Sequence, residues 1–415
     1  MNLKKQLEKT RAASRKVAPL STTDKNSALR KIAAALEKNA KKIEAANLKD
    51  LKLGEAKNLG EKLDRLKFDA PRIFASAAEV RKIARLPDPV GRILETAKPR
   101  AKFHLERISV PLGVIAMIYE SRPNVTVDAI ALALKSGNAI VLRGSSDALN
   151  SNRAIVKIIR ESLQSTKIPA EAIQFIDSKD RKIVGELLKS REFIDLVIPR
   201  GGRGLIDFVA ANSTIPTIET GASVVHLFVD AKADLAKAVK IVVNSKTRRV
   251  SICNALDTLL VHEKIAPKLL EKLLPKLEEK KVKLHSSELT PQLTGGLTVR
   301  FDSPEFDREW LSLDLNVKVV KSLDEAIAHI SKYSLRHTEV ICTEDKKAAE
   351  KFLQEVDAAC VYSNLSTQFS DGGEFGLGAE IGISTQKLHA RGPFALEVLT
   401  SYKWVGRGKG EIRIN

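Results

Sequence analysis

A chain of 415 residues exceeds what one ordinary hydrophobic core organises, so two domains with small additions are expected. With 43% hydrophobic and 29% charged residues it reads as globular, and its longest apolar runs, such as Gly113 to Tyr119, are too short for a membrane-spanning helix. Three cysteines, at 253, 342 and 360, are an odd number without CxxC spacing, which argues against a disulfide framework and a zinc finger.

The formal charge of +18 raises nucleic acid as a partner. Lysines are spread over many helical faces and interspersed with glutamates, however, and aromatics make up only 5%. That pattern leaves little for base stacking and favours anionic small molecules, which a general positive field also steers. Met1-Asn-Leu-Lys-Lys opens directly into a charged helical pattern, so no signal peptide and a cytoplasmic location are expected.

Residues 1 to 95 read as helices. Ser21 to Asp24 supply N-cap residues, and Leu29, Ile32, Leu36 and Ile43 then recur at helical spacing. Pro71 suits a first helical turn, and the helix it opens should stop before Pro87. Arg100 to Pro111 alternates like an exposed antiparallel strand.

From Gly113 strands and helices alternate. Strands are expected at Gly113 to Glu120, Ala139 to Arg143, Ile173 to Asp177 and Asp195 to Ile198. Helices fall between them and after them, at Val125 to Lys135, Ser146 to Leu163, Arg181 to Lys189 and Gly204 to Ala211. Short apolar strands alternating with helices give a parallel doubly wound sheet, which binds ligands beyond the carboxyl ends of its strands. Three such ends carry Glu120 to Thr126, Leu142 to Ser146 and Ile198 to Gly204, each rich in glycine, serine or arginine and suited to phosphate. No GxGxxG or P-loop sequence follows any strand.

A strand at Val224 to Asp230 closes this half, and a second βα series runs from Leu256 to Tyr362. Between them lies Asn244-Ser-Lys-Thr-Arg-Arg-Val-Ser-Ile-Cys253-Asn254. Cys253 alone has a polar, cationic entrance, with Lys246, Arg248 and Arg249 just upstream. Cations favour the thiolate, the form that attacks acyl carbon. Cys342 and Cys360 sit in strand-like runs as small hydrophobes. Glycine then crowds Asp371 to Gly382 as a substrate-covering loop or a structural turn, and the tail from Glu397 alternates like one more strand. No histidine pair has metal-ligand spacing, so no metal is expected.

Several stretches together resemble the gamma-glutamyl phosphate reductases (glutamate-5-semialdehyde dehydrogenases) of the aldehyde dehydrogenase superfamily. They are residues 119–129 (YESRPNVTVDA), 135–144 (KSGNAIVLRG) and 199–202 (PRGG), then 246–249 (KTRR) with Cys253 and Asn254, and 375–393 (FGLGAEIGISTQKLHARGP). The resemblance covers essentially the whole chain. It implies an aldehyde dehydrogenase-like α/β fold: a doubly wound parallel-sheet cofactor domain over 1–100 and 112–229, an α/β catalytic domain over 230–390, and a β-ribbon oligomerisation element from 101–111 and 391–415.

The activity it implies is NADPH-dependent reduction of L-glutamate 5-phosphate to the 5-semialdehyde with release of phosphate, in proline biosynthesis. Cys253 is the implied nucleophile and Asn124 the implied oxyanion donor, while Arg143, Ser145, Ser146, Pro199, Gly201 and Gly202 fall at the cofactor positions. Arg143 without a nearby glutamate at Ser146 also suits a 2′-phosphate on physical grounds. Glu219 falls at the general-base position of hydrolytic relatives. It is not assigned that role here, because hydrolysis would waste the acyl intermediate.

Charge complementarity suggests Arg248, Arg249 or Arg122 for the substrate phosphate and Glu380 for its ammonium. The chain departs from the family pattern at Val250, at Val225 before His226, and at Leu365 and Gln368, which leaves substrate contacts near the last two open. A homo-oligomer and transient contact with glutamate 5-kinase, which makes the labile substrate, are the implied partners, with neither membrane nor nucleic acid. The rival readings are a basic nucleic-acid-binding protein and a hydrolytic aldehyde dehydrogenase.

Overall fold

The computed structural model describes residues 2–60, 62–99, 103–287 and 302–413. Parts of the expected divisions, at positions 1, 61, 100–102, 288–301 and 414–415, lie outside the described residues. The chain forms two compact units. The first comprises Met1–Thr220, Leu377–Gly382 and Phe394–Asn415, and the second Gly221–Gly376 and Ile383–Pro393.

Five helices open the first unit: α1 (Leu3–Val17), α2 (Thr22–Lys38), α3 (Ala40–Ala56), α4 (Lys62–Leu66) and α5 (Ala70–Arg85). Ser21 caps α2 by accepting the Asp24 N–H at 3.2 Å, and Leu29, Ile32 and Leu36 form its buried stripe. Asp69 caps α5, Pro71 sits in its first turn, and the helix stops at Arg85 ahead of Pro87 as the proline spacing requires.

The helical reading of residues 1 to 95 needs one correction. Ile93–Ala97 is a strand, β1, antiparallel to β2 (His104–Pro111). Its burial is almost nil, so no apolar alternation announced it.

The sheet of the first unit comprises β3 (Val114–Tyr119), β4 (Ala139–Gly144), β5 (Ile173–Phe175) and β6 (Leu196–Arg200), all parallel in the order β5-β4-β3-β6. Every residue of β3 and β4 is buried, and each large side chain so placed contributes about 1.5–3 kcal/mol of hydrophobic stabilisation. Helices α6 (Pro123–Lys135), α7 (Leu149–Leu163), α8 (Lys182–Leu188) and α9 (Arg203–Asn212) follow these strands in turn.

In the second unit β7 (His226–Val229), α10 (Leu235–Thr247), β8 (Thr258–His262), α11 (Ala266–Glu279), β9 (Lys283–His285) and β10 (Asp314–Val320) lead on to α12 (Leu323–Tyr333), β11 (Thr338–Cys342), α13 (Lys346–Glu355) and β12 (Cys360–Ser363). The six strands are parallel in the order β12-β11-β7-β8-β10-β9. This corrects the expected boundary at residue 230. Strand β7 pairs with β8 and β11, so the break falls at Gly221, ahead of that strand. Buried leucines and valines of α10, α11, β7 and β8 make the core on one face of this sheet. Phe228, Leu260, Ile330, Ile341 and Phe352 belong to a second buried cluster.

Two three-residue strands follow, β13 (Gly382–Ser384) and β14 (Gly392–Phe394), and the chain ends on β15 (Thr400–Arg407). β15 pairs antiparallel with β2 in unbroken register from Thr400↔Pro111 to Arg407↔His104. The sheet β1-β2-β15 is the ribbon that the alternation of 100–111 and of the tail suggested. Among the described residues no helix is long and apolar enough to cross a membrane.

Candidate active site

In the first unit the carboxyl ends of β3, β4 and β6 are tied together. Glu120 N donates to the Arg200 carbonyl at 3.0 Å, and Ser121 N donates to Ser145 Oγ at 3.2 Å. The Ser121 backbone has a φ of 25°, on the left-handed side that side chains seldom adopt. Gly202 caps α9, and its N–H donates to Glu120 Oε2 at 3.0 Å. A Cβ on Gly201 would lie 2.8 Å from that carboxylate and from Leu205 Cδ2, so both side chains would have to shift to admit one. A helix N-terminus holding a carboxylate already behaves as an anion site.

Of the residues expected at the cofactor, Ser145 is half-buried and Ser146 exposed on the β4 turn. The Pro199 carbonyl accepts from Thr220 Oγ1 at 2.8 Å. Arg143 is 6% exposed; its Nη1 donates to the Gly144 carbonyl, its Nη2 lies 3.4 Å from the Asp180 carbonyl, and its Nε has no acceptor. A buried guanidinium with an orphan donor, beside an exposed serine turn and a helix N-terminus, fits the phosphates of a dinucleotide.

Asn124 occupies the first turn of α6, exposed, with Nδ2 donating to Asp128 Oδ2 at 3.3 Å. Both residues line a small cavity of about 70 Å³, partly open to solvent, together with Arg122, Arg200 and Glu380. Arg122 and Glu380, far apart in the sequence, therefore line one cavity. Asp128 was not singled out in the sequence. Its signals were its place in the 119–129 stretch and its position four residues after Asn124, one helical turn away. Burial pushes its carboxyl up to about 6, and Asn124 pulls the other way. Glu219 is half-buried, and burial raises its carboxyl too.

In the second unit Cys253 lies on the turn between α10 and β8, the one thiol of the three that is not buried. Both flanks of this turn are fixed. Leu256 N donates to the Ser245 carbonyl at 3.1 Å, and Lys246 Nζ donates to the Leu256 carbonyl at 2.8 Å. Asn254 Nδ2 donates to the Ser370 carbonyl at 2.9 Å, and Ser223 Oγ donates to the Cys253 carbonyl.

Lys246 is thus a wholly buried strut, where the sequence suggested a cation at the mouth of the thiol. Burial lowers its ammonium to about 8, and burial likewise raises the neighbouring Asp257 carboxyl to about 7, each partly held back by the other. Arg248 and Arg249 are exposed, and Arg248 Nη1 donates to Gln368 Oε1 at 3.3 Å. Gln368 Nε2 donates in turn to the carbonyls of Ser245 at 2.9 Å and Arg249 at 3.3 Å. Arg391 pairs with Asp357 at 2.7 Å, a contact within its own unit.

Parallel sheets with glycine and serine turns at their carboxyl ends, and a thiol on the pinned turn between α10 and β8, are the arrangement of the aldehyde dehydrogenase class. The sequence profile of the aldehyde dehydrogenase family matches residues 1–295. Over 405 residues the chain is 48% identical to a gamma-glutamyl phosphate reductase of Salmonella dublin, covering 97% of this chain and 98% of that relative. The crystal structure of a gamma-glutamyl phosphate reductase from Thermotoga maritima, 46% identical, matches with a TM-score of 0.96 over the whole of both chains. One from Saccharomyces cerevisiae, 30% identical, matches with a TM-score of 0.55 over 100% of this chain and 99% of that one. The chain belongs to the gamma-glutamyl phosphate reductases, oxidoreductases of the aldehyde dehydrogenase family.

Proposed function

We propose that this chain reduces L-glutamate 5-phosphate to L-glutamate 5-semialdehyde with NADPH, releasing phosphate, as a step of proline biosynthesis. The Cys253 thiolate adds to the acyl carbon; the C–O bond to phosphate breaks, and phosphate leaves with the bonding pair. The product of this step is a glutamyl thioester on Cys253. Asn124 donates its side-chain amide to the oxygen that becomes negative, and one such donor is worth about 3 kcal/mol of barrier. The bound nicotinamide supplies hydride. As the aldehyde forms, the carbon–sulfur bond breaks and Cys253 returns to thiolate.

Arg143, Ser145, Ser146, Pro199, Gly201 and Gly202 hold the cofactor, with the buried Arg143 guanidinium and the absence of a carboxylate at Ser146 favouring the 2′-phosphate of NADPH. Arg248, Arg249 and Arg122 are the phosphate-binding candidates, and Glu380 receives the ammonium. Three free thiols support a reducing, cytoplasmic setting. The ribbon β1-β2-β15 joins subunits into a homo-oligomer, and glutamate 5-kinase is the transient partner that delivers the labile acyl phosphate.

The observation that carries this reading is Cys253 itself, the one thiol left open to solvent, on a turn clamped from both sides. The test runs the reaction backwards, as NADP-dependent oxidation of glutamate 5-semialdehyde. Turnover should require added phosphate and vanish in Cys253→Ser, with a glutamyl adduct on Cys253 trapped by mass spectrometry. Phosphate-independent turnover would identify a hydrolytic dehydrogenase instead.

A further inference from the structure

Helix α6 carries Asn124 in its first turn, and no side chain caps that turn. The N-cap residue, Arg122, makes no side-chain capping bond, and Ser121 before it stands in the left-handed region. Asn124 is itself exposed, and its contact with Asp128, at 3.3 Å, joins two residues of one helix. A contact of that kind moves with the helix and does not fix its first turn against the sheet.

Thr126 does. Two positions after Asn124 and wholly buried, it joins three elements through one hydroxyl. Thr126 Oγ1 donates to Asn152 Oδ1 of α7 at 2.7 Å, and Tyr119 Oη, at the end of β3, lies 2.6 Å from the same threonine oxygen. A threonine hydroxyl has a single proton to give. With that proton directed at Asn152, Tyr119 is the donor to Thr126, and the chain runs in one order from Tyr119 through Thr126 to Asn152. Burial holds the Tyr119 hydroxyl well above its usual range, so it keeps the proton it donates.

The chain is enclosed: Tyr119 is 2% exposed and Asn152 not at all. A Cβ on Gly144, at the end of β4, would lie 2.3 Å from Asn152 Nδ2 and 3.2 Å from Tyr119 Cζ, so these groups are packed without slack. Buried hydrogen bonds of this kind are directional, and losing one leaves an unpaired group in the core.

We infer that Thr126 is a positioning residue for the reaction: by bridging Tyr119 and Asn152 it fixes the first turn of α6 against β3 and α7, and so sets where the Asn124 amide points. This rests on the functional reading above, which gives that amide to the developing oxyanion.

Thr126→Val keeps the shape and removes the hydroxyl, whereas Thr126→Ser keeps the hydroxyl. With glutamate 5-semialdehyde, NADP and phosphate, Thr126→Val should lower kcat at least about tenfold while KM for NADP stays within about twofold, and Thr126→Ser should keep kcat within about threefold of wild type. Asn124→Ala alone should lower kcat about a hundredfold. Added to Asn124→Ala, Thr126→Val should cost less than about twofold more, because it acts through an amide that is no longer there. Tyr119→Phe should repeat this pattern and takes the place of Thr126→Val should that variant fail to fold. Equal losses with and without Asn124 would leave Thr126 a structural residue and overturn the inference, as would an unchanged kcat in the single variant. An inactive wild type, or Asn124→Ala as active as wild type, would overturn the functional reading itself.

Discussion

Asp128 is a carboxylic acid whose ionisation the fold resists. An unfolded aspartate titrates near 4, whereas burial brings the folded one to about 6. The neutral form is therefore the one favoured by folding: the group's contribution to stability is complete below about pH 4 and is lost as pH rises through about 6. An isosteric neutral side chain escapes that loss. Asp128→Asn should be more stable than wild type by about 1–2 kcal/mol at pH 8, allowing for partial exposure of the carboxylate, with the gap closing toward pH 4.5. Urea titrations at the two pH values measure it. A gap independent of pH would mean that the carboxylate is not strained by its surroundings.

The elements show what a sequence transmits and what it withholds. Strands β3, β4 and β8 were legible because a parallel strand covered on both faces is a continuous apolar run, α2 because Ser21 caps it, and α5 because Pro71 and Pro87 mark its two ends. The run Val224 to Asp230 announced a strand, yet nothing in it says which sheet it joins, and the boundary was misplaced for that reason. Lys246 and Asp128 were misread or passed over because a charged side chain on a helix reads as solvated, and only the tertiary contacts enclose them. Cys253 and Asn124 stood out through their motifs, whereas two of the clamps on the Cys253 turn, the Ser370 carbonyl that holds Asn254 and the Gln368 amide on Ser245, come from residues more than a hundred positions away.

Gln368 is the central one of these clamps, joining the end of α10 to the turn that carries the thiol. Gln368→Ala leaves the Ser245 and Arg249 carbonyls short of a donor and should cost about 1–3 kcal/mol of stability. A loosened nucleophile turn should lower kcat at least about tenfold while KM for NADPH holds, because misplacement of the attacking atom acts on the chemical step. Steady-state kinetics with both substrates varied decide this, and an unchanged kcat would release Gln368 from any positioning role.

For the molecule as a whole the open question is what covers the ribbon. β1 and β15 are both edge strands, with backbone groups available for pairing, and neither is blunted by burial. On β15 Tyr402 is 53% and Trp404 47% exposed, two large aromatics two residues apart and so on one face. The Arg107 guanidinium lies 4.8 Å from the Tyr402 ring centroid and 5.8 Å from that of Trp404. Aromatics with an adjacent arginine are the residues that dominate subunit interfaces. An exposed aromatic face of this kind is where contact with a second copy of the chain is expected. Trp404→Glu places a carboxylate in the centre of that face without touching the core of either unit. Sedimentation velocity should show wild type as an oligomer at micromolar concentration and Trp404→Glu shifted to monomer. The circular dichroism spectrum should be unchanged, and kcat should fall less than about twofold, because the ribbon holds none of the residues assigned to the chemistry. A monomeric wild type, or a variant that assembles as before, would remove the ribbon from the interface.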